Sequence, residues 1–197
     1  MPQYEFDTRA ALLKSGKQEF LARGYSKASL RTICANANVT TGAFYANFAA
    51  KDDLFRAIVE DDLKLYGELY DGLINSVVSH LNTDDQGEAE VMGFIMDHRD
   101  LFRLLFDCSE GSSYEGFKES LLAKFDSTYQ QFFDSYTEKP IDPAITRTVV
   151  RMKFAQYCEM IYGDYDQEKV MEITRQLADC TRAGFEALLN TTFESPS

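Results

Sequence analysis

Residues Ser29–Lys51, SLRTICANANVTTGAFYANFAAK, decide how the rest of the chain is read. They spell a short helix, a tight turn, a second short helix and the start of a third. Leu30, Ile33 and Ala37 share one apolar face, and Val39, Phe44 and Phe48 share another. Between them Ala35 to Asn38 is small and polar enough to turn within a few residues. This is the pattern of a helix-turn-helix, whose second helix enters a DNA groove. That helix opens Thr40-Thr41-Gly42, so the Thr40 hydroxyl can accept from free N–H groups of the first turn. The remaining N–H groups and the positive end of the helix dipole then face outward, toward a site suited to phosphate.

Individual residues take roles from their places in this unit. Thr41 and Ala43 occupy the exposed first turn and would face base edges, Thr41 by hydrogen bond or methyl contact, Ala43 by apolar contact alone. Gly42 removes a side chain where the backbone must come close. Thr40, Tyr45 and Asn47 are placed for phosphate oxygens, Lys51 adds a phosphate charge, and Ser29 caps the helix of Leu30 toward the DNA backbone. Plainer alternatives stand beside these: Tyr45 packed on the first helix, and Lys51 as an ordinary surface lysine. Phe44 and Phe48 read as core. One such reader makes few base contacts. Two copies on a two-fold axis, about 34–36 Å apart, make enough, and their target is then a palindrome.

With the preceding Thr8, Arg9, Phe20, Gly24 and Tyr25, the residues Ser29, Ile33, Ala37, Val39, Thr40, Gly42, Phe44, Tyr45, Phe48, Lys51 and Leu54 stand where one family's pattern has them. The first 58 or so residues resemble the DNA-binding domain of the tetracycline-repressor (TetR) family of bacterial regulators. The resemblance implies a C-terminal domain that binds a small effector, moves the fourth helix and spreads two readers. It also implies that the last two helices of each subunit form a four-helix dimer interface. The chain departs from the pattern in places. Thr41 stands where a basic residue is common, and Ala43 and Ala46 where polar ones are, so direct base readout is thin and leans on shape and phosphate. Asn38 replaces a turn glycine and tolerates the left-handed conformation. Ala50 replaces a capping Ser or Thr and weakens the entry to the fourth helix.

Composition supports the division. The net charge of −12 looks wrong for a DNA binder until it is resolved along the chain. Residues 1–56 carry eight Lys or Arg against five Asp or Glu, +3, and residues 57–197 carry twelve against twenty-seven, −15. An acidic body repels DNA wherever the basic reader does not hold it, although the same acid is also what a solvated surface would show. Hydrophobic residues at 45% support a core. No run of 18 apolar residues exists to span a membrane, and MPQYEFDTR is no secretory leader, so a cytoplasmic protein is expected. The four cysteines, Cys34, Cys108, Cys158 and Cys180, form no CxxC pair, and with two histidines no zinc spacing arises. Neither a metal nor a cofactor is expected.

Proline occurs only at 2, 140, 143 and 196, and no strand-like alternation persists, so the fold class is all-α with about nine helices. Residues 1–50 form the three-helix reader and 51–197 the effector-binding and dimerisation domain. The first helix runs from Phe6 to Arg23 and ends at Gly24. The fourth runs from Lys51 to Leu81 on a stripe of Leu54, Ile58, Leu65, Leu69, Leu73 and Val77, and Asn82–Gly87 is a loop. A fifth helix, Glu88–Met96, and a sixth, Arg99–Cys108, follow. Ser112 with Glu115 can form a capping box for the seventh, which reaches Tyr136. Asp142-Pro143 starts the eighth, which ends near Gly163. The ninth ends near Asn190.

The ninth helix carries Val170, Ile173, Leu177, Cys180, Gly184 and Leu188 in a seam of coiled-coil type. The eighth has one apolar line at Val150, Phe154, Tyr157 and Ile161 and another at Ile145, Val149 and Met152. One can face the body and the other a partner chain. An apolar effector pocket is drawn from Met92, Met96, Phe102, Phe106, Phe125, Tyr129, Phe133, Phe154 and Tyr157, with Arg103, Gln156 and Glu159 as polar orienters. Any one of these aromatics can equally be core. The reading is a DNA-binding transcriptional repressor with three partners: a palindromic operator, a second copy of itself and a small molecule. A helical redox sensor or enzyme carrying a helix-turn-helix is the alternative. No nucleophile–base pair, metal cluster or phosphate loop supports it.

Overall fold

Local chemistry sets most helix ends. In the computed structural model, which describes residues 7–80, 85–137 and 139–191, the order is α1 (Thr8–Arg23), α2 (Leu30–Asn36), α3 (Thr41–Asn47), α4 (Lys51–His80), α5 (Asp85–Asp97), α6 (Arg99–Asp107), α7 (Phe117–Tyr136), α8 (Pro143–Tyr162) and α9 (Gln167–Thr191). Among the described residues there are nine helices and no strand. The chain divides into two compact units, Met1–Lys64 with Asp100–Phe117, and Leu65–Arg99 with Lys118–Ser197. Residues 51–64 and 100–117 therefore lie in the unit that holds the reader, whereas the sequence assigns them to the body.

In the first unit, Asp7 caps α1 by accepting from the Ala10 N–H at 2.9 Å, and Gly24 ends it at φ 72°. Phe6, placed on this helix by pattern, lies outside the described residues. The Ser15 hydroxyl donates to the Ile33 carbonyl at 2.8 Å, a buried bond that pins α1 to α2. At Gly16 an added Cβ would stand 2.7 Å from Leu54 Cδ2, so glycine permits α4 to approach α1. Leu12, Phe20, Ile33, Phe44, Leu54 and Phe55 fill the core between these helices.

The second unit packs α5 against α8 and α9. Asp142 caps α8 from its side chain to the Ala144 N–H at 2.9 Å, with Pro143 in the first turn. Val150, Phe154, Tyr157 and Ile161 are buried as one line. Phe132, Phe133 and Ile141 form a further core cluster, on which Tyr129, Val149, Phe185 and Leu188 pack.

Three expectations are corrected. The α4 stripe holds only in part: Leu54 and Leu73 are buried and Ile58 and Leu69 half-buried, but Leu65 is 46% exposed, and Phe55, Val59, Tyr66 and Tyr70 are buried beside them. Tyr66 and Tyr70 win because their rings pack on Phe94 and Phe125. The side chain of Val77 lies outside the described residues. The expected loop at 82–87 is shorter, since α5 begins at Asp85, and residues 81–84 lie outside the described residues. Ser112 and Glu115 build turns rather than a helix cap. Glu115 accepts from the Gly111 N–H at 3.1 Å, Gly116 sits at φ 75°, and α7 starts only at Phe117.

Candidate functional site

The reader is assembled by short-range bonds. Ser29 Oγ accepts from the Thr32 N–H at 3.4 Å, capping α2. Asn38 turns the chain at φ 54°, the one positive-φ residue other than glycine among the described residues. Thr40 Oγ1 accepts from the Ala43 N–H at 3.1 Å, capping α3. Phe44 and Phe48 are buried and their ring centroids are 5.8 Å apart, while Arg9 lies over the Phe48 ring at 4.7 Å. This packing turns the opposite face of α3 outward. Thr40, Thr41 and Gly42 are exposed, Ala43 is half-buried, and Tyr45 is 57% exposed with its ring edge-on to Phe44. The Asn47 amide donates one N–H to the Ala43 carbonyl at 2.9 Å, which leaves its second N–H and its carbonyl oxygen to offer.

Lys51 is not the free cation the sequence suggests. Its Nζ donates to the Tyr25 carbonyl at 2.6 Å and the Ala28 carbonyl at 3.2 Å, and it lies 4.3 Å from the Tyr25 ring centroid. Burial lowers its pKa. The ammonium clamps the turn after α1, where two carbonyls lack helical partners. Lys51→Met should therefore lower stability to urea by about 1–3 kcal/mol, because it leaves the Ala28 carbonyl unmet and the Tyr25 carbonyl with only the Ala28 N–H at 3.3 Å. A phosphate contact would instead flatten the salt dependence of DNA binding by about 0.9 in the log–log slope, and no such change is expected.

Ala50 does not leave α4 uncapped. Asp53 Oδ2 accepts from the Ala50 N–H at 2.9 Å, half of a capping box. Asp52 Oδ1 accepts from the Ser113 N–H at 2.8 Å. Burial pushes the Asp52 carboxyl up, but the Ser113 bonds and Arg56 outweigh it and hold it below the usual range. The Tyr25 N–H donates to the Cys108 carbonyl at 2.8 Å, and Phe55 lies 6.0 Å from Tyr114. Segment 108–114 is thus bonded to the turn after α1 and to the start of α4. Sequence reading missed Tyr25, Asp52 and Asp53 in these roles; only Asp53, three residues after Ala50, had a local signal.

The expected effector residues separate. Phe102, Arg103 and Phe106 belong to the first unit, where Phe102 is fully buried and Phe106 stacks near Phe117 at 6.3 Å. Met92, Met96, Phe125, Tyr129, Phe154, Gln156 and Tyr157 belong to the second. There the Met96 sulfur accepts from Arg99, and Met92, Phe125, Phe154 and Tyr157 are buried. Glu159 accepts from the Tyr165 hydroxyl on the exposed end of α8 and is no interior orienter. Gln156 lines a groove instead.

That groove runs between α8 and α9, encloses about 430 Å³, and is walled by Ile145, Val149, Met152, Leu177, Cys180, Gly184 and Leu188. Met152 is 70% and Ile145 44% exposed, and Cys180 and Gly184 are exposed. Val170, assigned to the same seam, is fully buried and belongs to the subunit core. Val149 and Leu188 are shared with the Phe132–Phe133 cluster. Ile173 is half-buried and does not line the groove. Among the described residues no helix is long and apolar enough to cross a membrane.

Residues 12–58 match the family model described as bacterial regulatory proteins, tetR family. The chain is 42% identical over 53 residues to the HTH-type transcriptional repressor BepR of Brucella suis, covering 27% of this chain and 25% of that protein. It therefore spans a quarter of that relative's length. A TetR-like transcriptional regulator from Rhodococcus sp. RHA1 has the same fold, with TM-score 0.62 at 17% identity over 93% of this chain and 99% of that one. AibR, solved in complex with isovaleryl coenzyme A and operator DNA, matches with TM-score 0.56 at 15% identity, over 87% and 97%. Reader, cap chemistry and family model agree: residues 12–58 match the family model of tetR-family bacterial regulatory proteins, and the solved structures show that the whole chain shares their fold.

Proposed function

We propose that this protein is a DNA-binding transcriptional regulator, a repressor that holds a palindromic operator as a homodimer and is released by a small-molecule effector. The observation that carries the reading is the outward face of α3. Phe44 and Phe48 are sunk in the core while Thr41, Gly42 and Tyr45 stand free on a helix capped at its N-terminus. Residues 1–50 act as the reader and 51–197 as the effector and dimerisation body, in a cytoplasmic binding protein rather than an enzyme. The similarity to the repressor BepR supports repression. The similarity to AibR, bound to both a small molecule and operator DNA, supports an effector.

Dimerisation is supported by the α8–α9 groove. An apolar line at Ile145 and Met152, left open beside the small residues Cys180 and Gly184, suits a second helix pair brought in by two-fold symmetry. Release is supported by α4 and segment 108–114, since Asp52 and Tyr25 tie that segment to the reader.

Selection of bound sequences from random duplex DNA at fixed physiological salt tests the reading. Enrichment of a palindrome with half-sites about one helical turn apart is expected. A folded protein that enriches nothing would refute it. At Gly42 an added Cβ meets only Thr40 Oγ1, at 3.7 Å. Gly42→Ala should therefore fold normally and yet bind the selected palindrome at least tenfold more weakly, an effect of about 1.4 kcal/mol. Equal affinity would remove close backbone approach at this position.

A further inference from the structure

The outward face of α3 carries no charge. Residues 32–50 contain no Lys, Arg, His, Asp or Glu, so α3, the turn before it and the three residues after it are neutral. Phe44 and Phe48 are sunk in the core and Ala43 is half-buried, which leaves Thr41, Gly42, Tyr45 and Ala46 as the exposed side of the helix. Gly42 offers backbone alone. Asn47, the one amide on α3, is half-buried and bonded back to the Ala43 carbonyl. The face therefore presents the Thr41 hydroxyl and methyl, the Ala46 methyl and the Tyr45 phenol.

The neighbouring cations are engaged elsewhere. Lys51 turns inward to the Tyr25 and Ala28 carbonyls. Arg9 comes from α1 to the far end of α3, with its guanidinium over the Phe48 ring at 4.7 Å. Arg56 pairs with Asp52 at 3.4 Å. Arg31 stands at the start of α2, the helix that in this motif crosses the DNA backbone rather than entering the groove.

Bases differ in what they ask of a protein in the major groove. Guanine presents two acceptors, O6 and N7, and is met by the paired donors of Arg or Lys. Thymine presents an apolar C5-methyl group and is met by small apolar side chains. A neutral face of methyls lacks the first kind of partner and is built of the second. Against a thymine methyl it removes apolar surface from water on both sides. Against a guanine edge it strips hydration from two acceptors and returns no hydrogen bond.

We propose that α3 recognises its half-site by thymine C5-methyl groups, packed against the Thr41 and Ala46 methyls, with no charged contact to guanine. The inference rests on the regulator reading above and names the base chemistry to which its reader responds.

The palindrome selected with the full chain is synthesised with deoxyuridine in place of thymine, which keeps base pairing and removes only the methyl. Binding is read by fluorescence anisotropy at fixed salt. Each contacted methyl lost should weaken binding about fourfold, and the symmetric pair in a full palindrome about fifteenfold. Guanines replaced by 7-deazaguanine, which lacks the N7 acceptor, should be bound as before. Thr41→Ser keeps the hydroxyl of an exposed side chain and drops its methyl. It should fold normally, bind the thymine palindrome about fourfold more weakly per half-site, and be blind to uracil at one position of each half-site. A reader of groove shape alone would suffer the same uracil penalty in both proteins. Equal affinity for the thymine and uracil palindromes, a tenfold loss on 7-deazaguanine, or Thr41→Ser as sensitive to uracil as wild type would overturn the proposal. Each of these results leaves the enriched palindrome, and with it the regulator, standing. A folded protein that selects no palindrome removes both.

Discussion

Phe55→Ala is expected to destabilise the first unit by about 3–5 kcal/mol, the range for deleting a fully buried phenylalanine. Phe55 is fully buried at the start of α4. Its ring meets Phe20 edge-on at 5.1 Å, Tyr25 edge-on at 5.4 Å and Tyr114 at 6.0 Å. It thus touches α1, the turn that Lys51 clamps and the segment that Asp52 holds. Such edge contacts add about 0.5–1.5 kcal/mol each beyond the area they bury. A loss of this size is a large fraction of a domain's total stability. Urea unfolding should show the early loss of one transition, with operator binding lost alongside it. Phe55→Leu, which keeps most of the volume, should lose far less. A Phe55→Ala protein that unfolds at the wild-type midpoint would show that these rings do not hold the reader.

Met152→Asp is expected to dissociate the proposed homodimer and to lower affinity for a full palindrome by a factor of a hundred or more. Met152 is 70% exposed in the subunit and lines the α8–α9 groove. In a free subunit the change is a surface substitution, within about 0.5 kcal/mol. Two-fold symmetry brings the substituted position in twice. A carboxylate buried against apolar surface, or facing its own copy, costs several kcal/mol at an interface. Sedimentation should therefore show a monomer with an unchanged melting profile at low concentration. A half-site duplex should be bound as before, because the reader is untouched. A variant that stays dimeric would place the interface on another face.

The sequence alone determined what depends on a few consecutive residues. Ser29, Thr40 and Asp142 cap helices because a short polar side chain reaches an N–H two or three residues on. Gly24 and Asn38 turn the chain because the left-handed region admits them. The three-helix reader and the all-helical body were legible for this reason. Tertiary structure decided what depends on a distant partner. Lys51 turns inward to carbonyls 26 and 23 residues away, which no local pattern signals. On α4 both Leu65 and Tyr66 belong to plausible apolar lines, and the neighbouring Phe94 chose Tyr66. On α9 an even seam was split, with Val170 taken into the core and Cys180 left outside. Apolar periodicity says that a face will be buried. Only the packed neighbours, whose rings and carbonyls compete for the same space, settle which face and against what.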